Sequence, residues 1–286
     1  MTPLDALLLG IVQGLTEFLP VSSSGHLAVL QARWGYSPEQ STAFSVVLHL
    51  GTLVAVCVAY RRALLLLLTR NRRALIPLAL GTAPLVLVVP IKDTVASVAG
   101  SPLLLGCAFW TTAALLLIAD APWRAWRGGP SAASDPALGA SAEVPPEVDP
   151  AAPEAEPAAG VADLSPGLAL GVGLAQAFAV IPGISRSGST ISAAMLGGTP
   201  PRVAAEFSFL LAIPAILGAG VFEAREIGRL ADQDVLPLLL GFVTAAVTGV
   251  LAIVALNWLL VRRRFWVFAP YLLAVGAWTA WGGATG

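Results

Sequence analysis

Six apolar runs, at 43–60, 74–90, 102–119, 203–222, 236–260 and 265–283, are long enough to cross a bilayer as helices. A hydrocarbon core of ~30 Å takes about 20 helical residues, whereas a barrel strand would need only about 10 and would alternate polar with apolar. In lipid every backbone N–H and C=O must be satisfied internally, so continuous apolar runs of this length read as helices and exclude a barrel. The balance of the chain agrees: 57% of its residues are hydrophobic, 12% are charged and the mean hydropathy is +0.81. A soluble domain carries about 25% charged residues. The expected class is an all-α polytopic membrane protein, with no nucleic-acid surface. Cys57 and Cys107 lie inside apolar runs and read as small buried hydrophobes, with neither metal spacing nor a disulfide framework. The N-terminus has no basic n-region, and Asp5 and Glu17 interrupt its apolar stretch, which is not the pattern of a cleavable signal peptide.

Two polar stretches break this background. The first, Gln13 to His26, reads QGLTEFLPVSSSGH; the second, Gln176 to Thr190, reads QAFAVIPGISRSGST. Gln13 and Glu17 are one helical turn apart and face the same side. Pro20 stops the helix, and Ser22, Ser23 and Ser24 can cap a new one that runs to about Trp34. That second piece is too short to span, so 3–34 reads as a re-entrant hairpin with its SSSG tip inside the protein. Residues 166–198 read the same way, with PGISRSGS as the break and a short helix from about Ser189 to Leu196.

The two stretches are related. At a fixed offset of 163 residues, without gaps, 13 of the 48 positions 3–50 are identical, among them Pro3/Pro166, Gln13/Gln176, Ser22/Ser185, Ser24/Ser187, Gly25/Gly188, Gly35/Gly198 and Pro38/Pro201. Apolar bias produces chance Leu and Ala matches but not registered Gly, Pro, Gln and Ser. Three spans separate the hairpins, so the halves must be inverted in topology, and broken helices at such an interface commonly build a midplane binding site. The expected organisation is a first repeat at 1–127, a disordered cytoplasmic linker at 128–164, and a second repeat at 165–286. The linker holds seven prolines and seven acids, with no Lys or Arg. Eleven arginines near span ends on one side, against four Lys or Arg on the other, make the first side cytoplasmic. Both termini and the mouth of the first hairpin are then extracytoplasmic.

Charges at membrane depth are costly, so Glu17 and Arg186 are functional candidates. The repeat sets Ser23 opposite Arg186, a hydroxyl-rich tip against a guanidinium. Helix N-termini favour anions, Gly25, Gly183 and Gly188 allow close backbone approach, and the arginine fork matches phosphate oxygens. Ser22, Ser24, Ser185, Ser187 and Thr190 add hydroxyls, and Gln13 an amide. Glu17 can hold a divalent cation or act as a base, His26 can transfer a proton, and Ser23 can be nucleophile or phosphate ligand. His49 has no polar company in the sequence and reads as structural.

Gln13 with Glu17, LPVSSSGH ending at His26, PGISRSGST at 182–190 and EFSFLLAIPA at 206–215 together resemble the bacterial undecaprenyl-diphosphate phosphatase family of bacitracin-resistance type. The similarity covers nearly the whole chain outside the linker. It implies hydrolysis of the C55 isoprenoid diphosphate to its monophosphate in the bacterial plasma membrane, recycling the lipid carrier of cell-wall synthesis. It also implies a divalent cation, Mg or Ca, for which Glu17 is the metal contact. The implied catalytic set is Glu17, Ser23, His26 and Arg186, and the site opens to the extracytoplasmic side. The expected partners are the polyprenyl diphosphate and membrane lipid, with a homodimer left open. A lipid-phosphate transporter or flippase is the competing reading of the same architecture, and a non-catalytic membrane scaffold is a third.

Overall fold

The computed structural model describes residues 1–125, 159–222, 234–262 and 264–282. Among the described residues the chain is all helical, and six helical stretches are long and apolar enough to cross a membrane: Glu39–Ala59, Arg72–Gly100, Pro102–Ala121, Pro201–Phe222, Val235–Val261 and Phe265–Gly282. The protein is a multi-pass membrane protein. Most of the expected linker, with Arg127, Arg225, Arg229 and Arg263, lies outside the described residues.

Helix α1 (Pro3–Phe18) starts on Thr2, whose hydroxyl accepts from the Asp5 amide, with Pro3 in the first turn. It ends at an extended Leu19 before Pro20, which has no amide hydrogen to continue the ladder. Helix α2 (Ser23–Arg33) follows at once, capped by Ser22. The chain has doubled back by Tyr36, whose hydroxyl donates to Asp5 Oδ2 at 2.5 Å, fastening the turn after α2 to the first turn of α1.

Helix α3 (Pro38–Ala59) opens on a reciprocal capping box between Ser37 and Gln40. The basic stretch after it is helical rather than a plain loop: α4 (Arg61–Thr69) buries Ala63 and Leu67. The next span is composite. It comprises α5 (Leu75–Thr82), a 3-10 stretch at Ala83–Ile91 containing Pro84 and Pro90, and α6 (Lys92–Ala96). The prolines remove amide donors there, which disfavours regular α-helix. Helix α7 (Pro102–Ala125) completes the first half. Cys107 is exposed on α7 rather than buried as expected, and Cys57 is half-buried.

The C-terminal end of the expected linker is ordered. Residues Ala159–Ala162 form a helical turn, α8, and Val161 is fully buried in the main core, because this short apolar segment packs against α5 and the helix at 201–222. Then come α9 (Pro166–Phe178), α10 (Arg186–Leu196), α11 (Pro201–Phe222), α12 (Val235–Val261) and α13 (Ala269–Gly282). Helix α10 begins at Arg186, three residues before the expected Ser189, since Ser185 is its cap.

Small residues let the helices approach closely. Helix α1 packs along α12, where a Cβ on Gly10 would lie 2.6 Å from the Gly241 carbonyl and one on Gly14 2.5 Å from that of Ala245. Helix α9 packs against α5 in the corresponding way, with a Cβ on Gly173 reaching 2.6 Å from the Gly81 carbonyl. Replacing Gly14 by Leu should therefore destabilise the protein by at least about 1–3 kcal/mol, the ordinary cost of overpacking. Gly171, whose Cβ would meet nothing within 4 Å, is the control. Thermal unfolding in detergent should fall by several degrees for Gly14→Leu and stay near wild type for Gly171→Leu. Equal transitions for the two would contradict the close α1–α12 contact.

Candidate active site

The turns that start α2 and α10 meet in the interior. A Cβ on Gly25 would lie 2.9 Å from Gly183 Cα and 2.6 Å from Phe109, so hydrogen at Gly25 is what lets the tips touch. Gly183 sits at φ +92°, a left-handed conformation glycine adopts without strain. Ser22 adopts φ 70°, the one non-glycine positive φ among the described residues. Such a conformation in a residue with a Cβ marks a site that its surroundings over-determine.

The two tips have one local design. Ser22 Oγ accepts from the Gly25 amide at 3.4 Å, and Ser185 Oγ from the Gly188 amide at 3.0 Å. Ser22 Oγ lies 3.3 Å from Ser24 Oγ, and Ser185 Oγ lies 3.2 Å from Ser187 Oγ. Each cap leaves the first amides of an 11-residue helix without an intrahelical partner, so both helices present positive ends. Ser187 Oγ crosses to the first tip and donates to the Leu19 carbonyl at 3.2 Å.

Glu17 is the hub. Arg186 Nη2 donates to its Oε1 at 2.5 Å, and Ser23 Oγ donates to its Oε2 at 2.5 Å. Gln13 Nε2 also donates to Oε2, at 3.1 Å. Residues from two stretches 163 positions apart thus share one carboxylate, and the Ser23 hydroxyl and the Arg186 guanidinium flank it. Arg186 is held in turn by Nη1 donating to the Ser208 carbonyl at 3.4 Å. Thr190 backs this up, lying 2.6 Å from Ser208 Oγ and donating to the Arg186 carbonyl at 2.8 Å. Thr112 of α7 receives the Ser185 amide at 3.0 Å and fixes the second tip.

A cavity of about 300 Å³ opens beside this cluster. Its polar end carries Glu17, Ser22, Ser23, Ser24, Ser185 and Arg186; its other wall is apolar, from Val46 and Leu50 of α3 and Ile216 and Ala219 of α11.

The two histidines differ in where they lie. His49, read from the sequence as structural, lines the cavity with Nε2 3.8 Å from Glu17 Oε2. Its Nδ1 donates to the Ser45 carbonyl at 2.7 Å, which turns Nε2 toward the carboxylate. His26 is outside the cavity lining. Its Nδ1 donates to the Ser22 carbonyl at 2.7 Å, its Nε2 accepts from the Tyr271 hydroxyl at 2.7 Å, and its ring stacks on Tyr271 at 5.7 Å. Nδ1 thus holds the Ser22 turn, and Nε2 ties it to α13.

Sequence reasoning also missed Thr16, Thr112 and Ser208. A signal for His49 was available: Ser45, His49 and Thr52 form a polar stripe at helical spacing in the otherwise apolar run 43–59.

The fold and this cluster define a class, a polytopic helical membrane protein with a carboxylate–guanidinium pair set between two helix N-termini in its interior. Comparison with known proteins narrows it. The family model described as Bacitracin resistance protein BacA matches residues 6–278. The "Undecaprenyl-diphosphatase" of Burkholderia mallei strain SAVP1 is 38% identical over 282 residues, covering 95% of this chain and 92% of that protein. The protein of the same name from Desulfosudis oleivorans is 37% identical over 303 residues, covering 98% of both. The chain belongs to the BacA family.

Proposed function

We propose that the protein hydrolyses undecaprenyl diphosphate to undecaprenyl phosphate and inorganic phosphate, returning the lipid carrier to cell-wall synthesis. The observation that carries this reading is the short Ser23–Glu17 hydrogen bond with Arg186 on the opposite carboxylate oxygen. It joins a nucleophile, a base and a phosphate-binding cation in one contact set, at the polar end of a cavity with an apolar wall.

The residues divide the work as follows. The prenyl chain lies along the apolar wall and the diphosphate enters between the two helix N-termini, whose free amides and serine hydroxyls accept its oxygens. The guanidinium of Arg186 stabilises charge on the transferring phosphoryl group. Ser23 Oγ attacks the terminal phosphorus while Glu17 takes its proton. The bond to the bridging oxygen breaks, and the lipid monophosphate leaves as an anion. Glu17 releases the serine proton to solvent in the cavity, then deprotonates the water that attacks the phosphoserine phosphorus and returns this second proton to Ser23 Oγ as the P–O bond to serine breaks, restoring Ser23 and releasing phosphate. His26 acts by holding the tip through Ser22.

A divalent cation, Mg or Ca, is part of this reading. The donor chemistry fits: Glu17 supplies a carboxylate, and Gln13, whose Nε2 donates to Glu17 Oε2, has its Oε1 buried with no hydrogen-bond partner. Among the described residues there is no cluster of three or more acidic, histidine or cysteine ligands. One or two carboxylates plus substrate phosphates are how Mg²⁺ is commonly held. Glu17 and Gln13 would hold the cation, which when bound offsets the negative charge of the diphosphate.

The re-entrant and inverted-repeat readings are supported by the matched caps at Ser22 and Ser185. They are also supported by contacts between equivalent elements: α3 with α11, and α7 with α13, where Trp110 Nε1 donates to the carbonyl of its repeat counterpart Leu273 at 3.1 Å. Together with the arginine bias, they support a reading in which both termini and the site's opening are extracytoplasmic and the 128–164 segment is cytoplasmic. A single cysteine introduced there, with Cys57 and Cys107 replaced, should resist an impermeant thiol reagent in intact cells and react after permeabilisation. Labelling of intact cells would reverse the orientation.

The function is tested by phosphate release from a C55 diphosphate by purified protein in detergent micelles, with and without chelator. Steady multi-turnover release that chelator suppresses is the expected result. Transport needs two compartments and hydrolysis does not, so absence of release in micelles would favour the transporter reading.

A further inference from the structure

We infer that the crevice between α2, the start of α7 and the end of α13 binds the phosphate headgroup of an anionic membrane phospholipid, with Arg33 and Thr279 as its ligands. This cavity of about 190 Å³ shares no lining residue with the one beside Glu17. Val29, Pro102 and Leu105 give it an apolar wall, and Arg33, Trp278 and Thr279 give it a polar rim. The Arg33 guanidinium lies over the Trp278 ring at 4.4 Å. Among the described residues its N–H donors meet no protein acceptor, and it makes no ion pair. Thr279 is buried, and its hydroxyl has no hydrogen-bond partner among the described residues.

An arginine in the last turn of a helix offsets the helix dipole, which accounts for the charge of Arg33 but not for the cavity beside it. Threonines inside helices can return their hydroxyl to the preceding turn. Thr16, Thr82, Thr111, Thr244 and Thr248 do so, each donating to the carbonyl four residues back. Thr279 makes no such bond, and a buried donor left over in this way calls for a ligand. Helix α7 begins at Pro102 and adds the positive end of a 24-residue helix to the same cavity. Donors without an acceptor among them select an anion. Depth names its source: Trp34, Trp278 and Trp281 are all exposed near the ends of α2 and α13, the pattern of an interfacial aromatic belt level with lipid headgroups. A basic pocket with an apolar wall at that depth fits a phospholipid, its phosphate on Arg33 and Thr279 and the upper part of an acyl chain on Val29 and Leu105. Bound there, the lipid clamps α2 to α7 and α13. Helix α2 carries Ser23 at its other end, ~15 Å away, so occupancy braces the helix that presents the first tip.

The test is native mass spectrometry of the full-length protein in detergent, delipidated and then titrated with phosphatidylglycerol, phosphatidylcholine or inorganic phosphate. Phosphatidylglycerol should be retained at one per chain, ~10-fold more tightly than phosphatidylcholine. Arg33→Gln should erase most of that preference. Thr279→Val keeps the shape and removes the donor, and should weaken retention ~5-fold or more. Arg262 supplies the control: it also lies over a tryptophan, Trp258 at 3.6 Å, but lines neither cavity, so Arg262→Gln should retain lipid as the wild type does. Melting transitions measured before lipid is added verify that the variants are folded. Equal retention of the two lipids, or equal losses in Arg33→Gln and Arg262→Gln, overturns the inference. Displacement of phosphatidylglycerol by inorganic phosphate at comparable concentration would make this a site for free phosphate and overturn the lipid assignment. No readout involves phosphate release, so the outcome is independent of the phosphatase reading.

Discussion

Arg186→Lys should lower kcat by ~10²-fold or more, about 2.7 kcal/mol, while raising KM far less. Arg186 spreads its two terminal nitrogens between Glu17 Oε1 at 2.5 Å and the Ser208 carbonyl at 3.4 Å, which orients the guanidinium plane at the cavity. A lysine keeps the charge but presents a point, and cannot hold both partners while meeting a phosphoryl group. If the arginine acts mainly on charge that shifts in the transition state, its loss appears in kcat. Lysine is the informative replacement because Arg186→Ala would strand Glu17 as a buried unpaired charge, at a cost of about 3–5 kcal/mol in stability. Steady-state kinetics on folded protein, verified by an unchanged melting transition, checks this. A pure KM effect would make Arg186 a binding residue.

Ser23→Ala should be at least as severe, a loss of ~10²-fold or more. Its hydroxyl is the one that Glu17 accepts, whereas Ser22 and Ser185 are spent on capping and Ser187 on the Leu19 carbonyl. Stability should change little, about 1 kcal/mol, since Glu17 keeps Arg186 and Gln13. Wild-type substrate quenched during turnover should also yield a phosphoserine at position 23. A Ser23→Ala rate near wild type would give the attack to water and leave Ser23 as a ligand.

Much of this site was legible before any coordinates, and the reason is physical. Chain breaks, caps and membrane-depth charges are local features: Pro20 ends α1, Ser22 and Ser185 cap in register, and Glu17 and Arg186 are too costly to be incidental. The repeat then paired the tips without a structure. What stayed hidden was helix rotation. His26 belongs to the same motif as Ser23, yet Gly25 seated on Gly183 and Phe109 turns α2 so that the ring meets Tyr271. His49 reaches Glu17 only because α3 presents its polar stripe to α1, and the relative rotation of two distant helices is a tertiary fact. The linker boundary failed for a related reason, since Val161 is apolar in a polar neighbourhood and finds its core only in the assembled fold.

The central claim is that one diphosphate is held by both tips at once. The structure of the protein with a non-hydrolysable methylene analogue of a prenyl diphosphate tests it most directly. The account places the terminal phosphorus within about 3.5 Å of Ser23 Oγ and an oxygen of that same phosphate on Arg186, with the prenyl chain against α3 and α11. A headgroup bound at one tip alone, or outside the cavity beside Glu17, would contradict it.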